Sequence, residues 1–174
     1  MRFYSEKTAL EHLAEVRRQF ADQIRNGFEH AAKDCQTCET KGACCLDAHF
    51  VNVRITRLEA VAIVREIERL PVGKQEAIRK KVFDTVERFG LENAAAHSKE
   101  TFACPLFERD TGCLVHGTAK PLPCIAHACY ERKEDLPPDE LLQEAEVRVY
   151  EISRRTYGST ALPKPLPVGL KQLL

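Results

Sequence analysis

The stretch TRLEAVAIVREIERLPVGKQEAIRKKVFDTVERFG, residues 56–90, reads as two helices joined by a tight turn. The Thr56 hydroxyl can accept from the first amides of a new helix, while the Glu59 carboxylate three residues on reaches back, a pairing that marks where the helix begins. Leu58, Val61, Ile63, Val64, Ile67 and Leu70 then supply its apolar residues. Pro71 and Gly73 end it, because the residue before a proline disfavours helical backbone and glycine breaks it. A further helix over about 74–97 places Ile78, Val82, Val86 and Phe89 on one face, with Gly90 as its weak point. Two antiparallel helices return the chain close to where it left.

Working outward, Leu10, Leu13, Val16, Phe20, Ile24 and Phe28 recur every three or four positions and predict a long amphipathic helix over about 6–32. Phe50, Val51, Val53 and Ile55 alternate as a short extended segment running into Thr56. Residues 99–131 lose all periodicity. After Pro137-Pro138, Leu141, Leu142, Ala145, Val149 and Ile152 predict another helix ending near Gly158. The tail LPKPLPVGL, residues 162–170, reads as an extended, polyproline-like strap lying on the domain. The expected fold is therefore mainly α: one domain over residues 1–174, about four helices, and two irregular cysteine-rich loops forming a metal site.

The 26 basic and 26 acidic residues cancel, so no broad field attracts nucleic acid or an anionic membrane. Arg17-Arg18, Arg79-Lys80-Lys81 and Arg154-Arg155 fall on helices beside acidic neighbours and read as solvated faces. The charged amino terminus has no apolar leader core, and no stretch approaches the roughly 20 apolar residues of a membrane span. The expectation is a cytoplasmic protein in a reducing compartment, with neither nucleic acid nor membrane as partner.

Eight cysteines stand in two windows either side of the helical pair. CQTCETKGACC, residues 35–45, holds Cys35, Cys38, Cys44 and Cys45; the second window supplies Cys104, Cys113, Cys124 and Cys129. A chain this long can bury a core without disulfide staples, and in a reducing compartment dense cysteine points to metal binding or catalysis. Cys44 and Cys45 are adjacent and pair with each other only under strain. A thioredoxin-like role for Cys35 and Cys38 would require a helix amino terminus after a strand, whereas this pair follows a helix. The C-x-x-C spacing lets two sulfurs turn to one ion, and the helical pair lets the windows meet. Thiolates select zinc, copper(I) or an iron-sulfur cluster over hard cations. His116, three residues after Cys113, and His127, between Cys124 and Cys129, are candidate replacement ligands, read first as supporting or surface residues.

These residues resemble the YkgJ-type cysteine-cluster family, described as zinc- or iron-chelating domains and similar to the cluster region of flagellin lysine N-methylases. The matching pieces are Cys35, Cys38, Cys44-Cys45, Thr56 to Glu59, Cys104-Pro105-Leu106, Cys113, Pro121, Cys124 and Cys129, which together cover about residues 35–130. Five residues separate Cys38 from Cys44 where the family usually has two. Lys120 and Ile125 stand where the family carries arginines. The resemblance implies a metal-chelating region over about 35–130, flanked by amino- and carboxy-terminal helices.

The expected function is metal binding, foremost an iron-sulfur cluster of the 4Fe-4S type serving electron transfer or redox sensing with a protein redox partner. One alternative is a structural zinc module that works through an interaction surface. Another is a cluster-dependent enzyme related to protein lysine methylation, with His116, His127 or Lys120 lining its pocket. No G-x-G occurs and no S-adenosylmethionine cradle is visible, so the sequence leans away from an enzyme.

Overall fold

The computed structural model describes residues 3–33, 42, 45–46, 53–92, 101–109, 111–127, 129–130, 132–158 and 160–174, with backbone alone at Lys33 and Cys129. Its elements in chain order are α1 (Glu6–Gly27), β1 (Ala32–Lys33), β2 (Arg54–Ile55), α2 (Arg57–Ile67), α3 (Val72–Arg88), β3 (Phe107–Glu108), β4 (Gly112–Cys113), α4 (Leu122–Ala126), β5 (Cys129–Tyr130), α5 (Asp139–Tyr157), β6 (Lys164–Pro165) and α6 (Leu166–Lys171). The protein is mainly helical, as the sequence predicts, with four longer helices and two short ones among the described residues. The strands form three two-residue antiparallel ladders. Residues 1–41 with 120–162 make one compact unit, and 42–119 with 163–174 make a second.

In the first unit, α1 packs against α5 and α4. Ser5 caps α1 by accepting from the Thr8 amide at 3.1 Å. Ala9, Leu13, Val16, Phe20 and Ile24 form its buried stripe, meeting a narrower one of Ala145 and Val149 on α5. Tyr157 donates its hydroxyl to Glu6 at 2.9 Å, and the Arg155 guanidinium carbon lies 4.1 Å from the centre of the Tyr4 ring. α5 ends where Gly158 takes a left-handed conformation at φ +65° and donates its amide to Arg154. Arg17 departs from the expectation of a solvated cluster. It is buried at 7 % exposure, whereas its neighbour Arg18 stays in solvent and pairs with Glu15 and Asp22.

The second unit begins at the expected cap. The Glu59 amide donates to the Thr56 hydroxyl at 3.3 Å, and Glu59 accepts from the Thr56 amide at 2.8 Å. Both residues are buried, so these bonds are shielded from water. α3 stops at Arg88, well before residue 97, because Gly90 at φ +58° closes it. Its amide donates to the Glu87 carbonyl and the Leu91 amide to the Val86 carbonyl. That is a Schellman cap, and Gly90 is the terminator of this helix rather than a weak point inside it.

The tail differs most from expectation. Rather than staying extended, residues 164–165 pair with β2, and Leu166–Lys171 coil into α6. α2 and α3 each make their principal helix contact with α6. Leu166, Pro167, Val168, Gly169 and Leu170 are all buried. A Pro- and Gly-containing run is a poor helix former, and burial of its apolar side chains overrides that preference. Pro165 and Pro167 sit at the helix start, where a missing amide costs little. At Gly169 a β-carbon would meet the Ile55 side chain at 3.2 Å.

Two substitutions test these supports by urea unfolding. Thr56→Ala should lower stability by about 1 kcal/mol through loss of the cap. Gly169→Val should cost about 1–3 kcal/mol by overpacking against the fully buried Ile55.

Candidate metal-binding thiols

Of the eight proposed ligands, Cys35, Cys38 and Cys44 lie outside the described residues, and Cys129 is described by backbone alone. Cys45, Cys104, Cys113 and Cys124 are half-buried and outside any disulfide.

Three of the described thiols belong to the second unit. Cys45 closes a turn by donating its amide to the Gly42 carbonyl at 2.8 Å, and its own carbonyl accepts from the Cys104 amide at 2.9 Å. That bond joins the two cysteine windows directly. Cys104 in turn packs against the apolar cluster of Val86, Leu91, Phe102 and Val168, so one face of this residue is set by the core. The chain then turns, with the Phe107 amide donating to the Cys104 carbonyl at 3.0 Å, and enters a hairpin in which Phe107 stands opposite Cys113. Gly112 opens the returning strand at φ +86°. Lys74 on α3 pairs with Glu108 at 3.1 Å and anchors the hairpin to the helix.

Gly42 and Phe107 were not singled out in the sequence, yet they hold the windows together. Gly42 has φ +76°, and a β-carbon there would overlap the Phe107 ring. Only glycine allows this approach. The signal available was a glycine inside the cysteine-rich loop and an aromatic residue three positions after Cys104.

In the first unit the same pairing of windows recurs at the backbone. β1 and β5 place Lys33, two residues before Cys35, opposite Cys129. Cys124 lies within α4, a short helix in a stretch expected to be irregular. Pro121 caps that helix and Pro123 falls in its first turn, so both prolines initiate helix rather than prevent it. His116 and His127 are exposed, and Lys120 is half-buried.

Beside Cys129, the Tyr130 hydroxyl is buried without a hydrogen-bond partner among the described residues. Burial, and secondarily the negative charge of Glu29, pushes its pKa above the usual phenol value. Ionising this phenol would leave the charge without a hydrogen-bond partner among the described residues.

Among the described residues no three His, Cys, Asp or Glu side chains come together as a set able to hold an ion. No family model, curated protein or solved structure matches the chain. Among the described residues no helix is long and apolar enough to cross a membrane. What fold and site define together is a mainly helical protein whose cysteine windows meet at the backbone.

Gly42→Ala should lower the urea midpoint by an amount equivalent to about 1–3 kcal/mol, from left-handed strain and contact with the ring. Combining it with Phe107→Leu should restore the contact portion but not the strain. Because the folded phenol of Tyr130 holds its proton more tightly than an unfolded one, it contributes stability below pH 10.0 that is lost as pH rises through the raised value. Alkaline titration by tyrosinate absorbance should show a late-ionising component that Tyr130→Phe removes.

Proposed function

We propose that this is a metal-thiolate protein of the cytoplasm whose two cysteine windows hold an iron-sulfur cluster and serve electron transfer or redox sensing with a protein partner. The observation that carries the reading is the hydrogen bond from the Cys104 amide to the Cys45 carbonyl, since it unites two windows separated by 58 residues. A metal site shared between windows requires such a meeting.

The donor chemistry fits. Half-buried thiols bind soft metals as thiolates, and partial burial limits access of water to the site. Cys45, Cys104 and Cys113 are the described ligand candidates of the second unit, and Cys124 that of the first. Cys35, Cys38, Cys44 and Cys129 complete the proposed set from the sequence. His116 and His127 are surface residues in this reading. A bound cluster would supply a one-electron couple, with the chain's own residues setting its burial and hydrogen bonding.

Anaerobically purified protein should be brown, absorb broadly in the visible range and contain about four irons per chain if the cluster is 4Fe-4S. Colourless protein carrying zinc and no iron would overturn the iron assignment, and protein with neither metal would overturn the reading. Cys38→Ser and Cys124→Ser should each lower metal content and thermal stability. Full metal retention after either change would remove the case for a site fed by both windows.

A further inference from the structure

We propose that Cys45 and Cys104 are also an oxidisable pair, closing to a disulfide when a peroxide reaches the protein. The inference stands on the positions of these two residues and does not require the metal reading to hold. Residues that exchange both backbone bonds in an antiparallel ladder have α-carbons about 5.5 Å apart, and a single amide-to-carbonyl bond of ordinary length holds two α-carbons at a comparable separation. That separation falls inside the range of about 4.4–6.8 Å that disulfides span. The Cys104 amide to Cys45 carbonyl bond, at 2.9 Å, is such a link.

Both residues are held in place by their neighbours. The Gly42 carbonyl takes the Cys45 amide, and the ring of Phe107 closes over Gly42. Cys104 rests on the cluster of Val86, Leu91, Phe102 and Val168. Oxidation would therefore draw together two residues already placed, without reorganising the core. Both thiols are half-buried, which leaves a path for a molecule as small as hydrogen peroxide. Cys113 is less favourably placed, because the hairpin register sets it opposite Phe107 rather than Cys104.

The chemistry balances with the peroxide as oxidant. A thiolate from one cysteine attacks a peroxide oxygen, the O–O bond breaks, and a sulfenic acid forms as one water leaves after protonation. The second sulfur then attacks the sulfenic sulfur, a sulfur-sulfur bond forms, and its hydroxyl departs as a second water. Overall two thiols and one peroxide give one disulfide and two waters. A dithiol reductant reverses the step. Where the same sulfurs hold metal, pairing them withdraws two ligands and releases it.

The test treats the full chain, as purified, with hydrogen peroxide, blocks remaining thiols, digests with trypsin without reduction and analyses the peptides by mass spectrometry. Cleavage after Lys41, Arg54, Lys99 and Arg109 gives peptide 42–54, containing Cys44 and Cys45, and peptide 100–109, containing Cys104 alone. The expected product is these two peptides linked, with fragment ions placing the bond at Cys45, and it disappears on treatment with dithiothreitol. Cys44→Ser should keep the link and Cys45→Ser should abolish it. A dominant link through Cys44 or Cys113, or thiols oxidised without any link, would overturn the proposal, and the wild-type fragment ions decide this even if a variant fails to fold. Metal content measured on the same preparation separates the two claims. Metal without the link defeats only this inference; the link in metal-free protein defeats only the metal assignment.

Discussion

Burial of α6 is the constraint on which the second unit rests. Its five buried residues, Leu166 to Leu170, give α2 and α3 their principal helix partner. The residues just before it pair with β2, which leads directly into the Thr56 cap. Val168 joins Val86, Leu91 and Phe102 in the cluster that supports Cys104. A chain of contacts thus runs from the carboxy-terminal helix to the candidate thiols, and each step is apolar packing or a hydrogen bond. α6 supplies the apolar surface against which both helices of residues 56–90 pack.

At the thiols themselves, most of the positioning is done by backbone. Cys45 and Cys104 are related by an amide-to-carbonyl bond, Cys113 by hairpin register, and the flank of Cys35 by a ladder opposite Cys129. Backbone bonds specify where a residue sits regardless of its side chain. Metal binding and disulfide formation draw on the same property, a soft nucleophile held near another. They differ in the oxidation state of sulfur, thiolate in the one and disulfide in the other.

The features legible in the sequence were those encoded over a few residues. The Thr56–Glu59 cap needs only a three-residue spacing, and the α1 and α5 stripes need only a repeat of three to four, so these helices begin where they were expected, although α1 ends at Gly27 rather than near residue 32. Gly90 closes α3 rather than weakening its interior, and its position in the sequence does not separate the two roles because terminating a helix and interrupting one begin with the same residue. The irregular reading of residues 99–131 missed α4, where Pro121 and Pro123 act at a helix start. Arg17 was placed in solvent because its neighbours in sequence are charged, whereas its burial depends on how α1 packs.

The amino-acid sequence by itself determined that the protein is mainly helical, that its cysteines fall in two windows, and that a helical pair lies between them, since periodicity, caps and spacing are local quantities. Tertiary structure decided that a Pro- and Gly-bearing tail becomes a buried helix, that Gly42 accepts the Phe107 ring, and that Cys104 meets Cys45. Those outcomes depend on which distant surfaces exclude water together, and no local pattern carries that free energy.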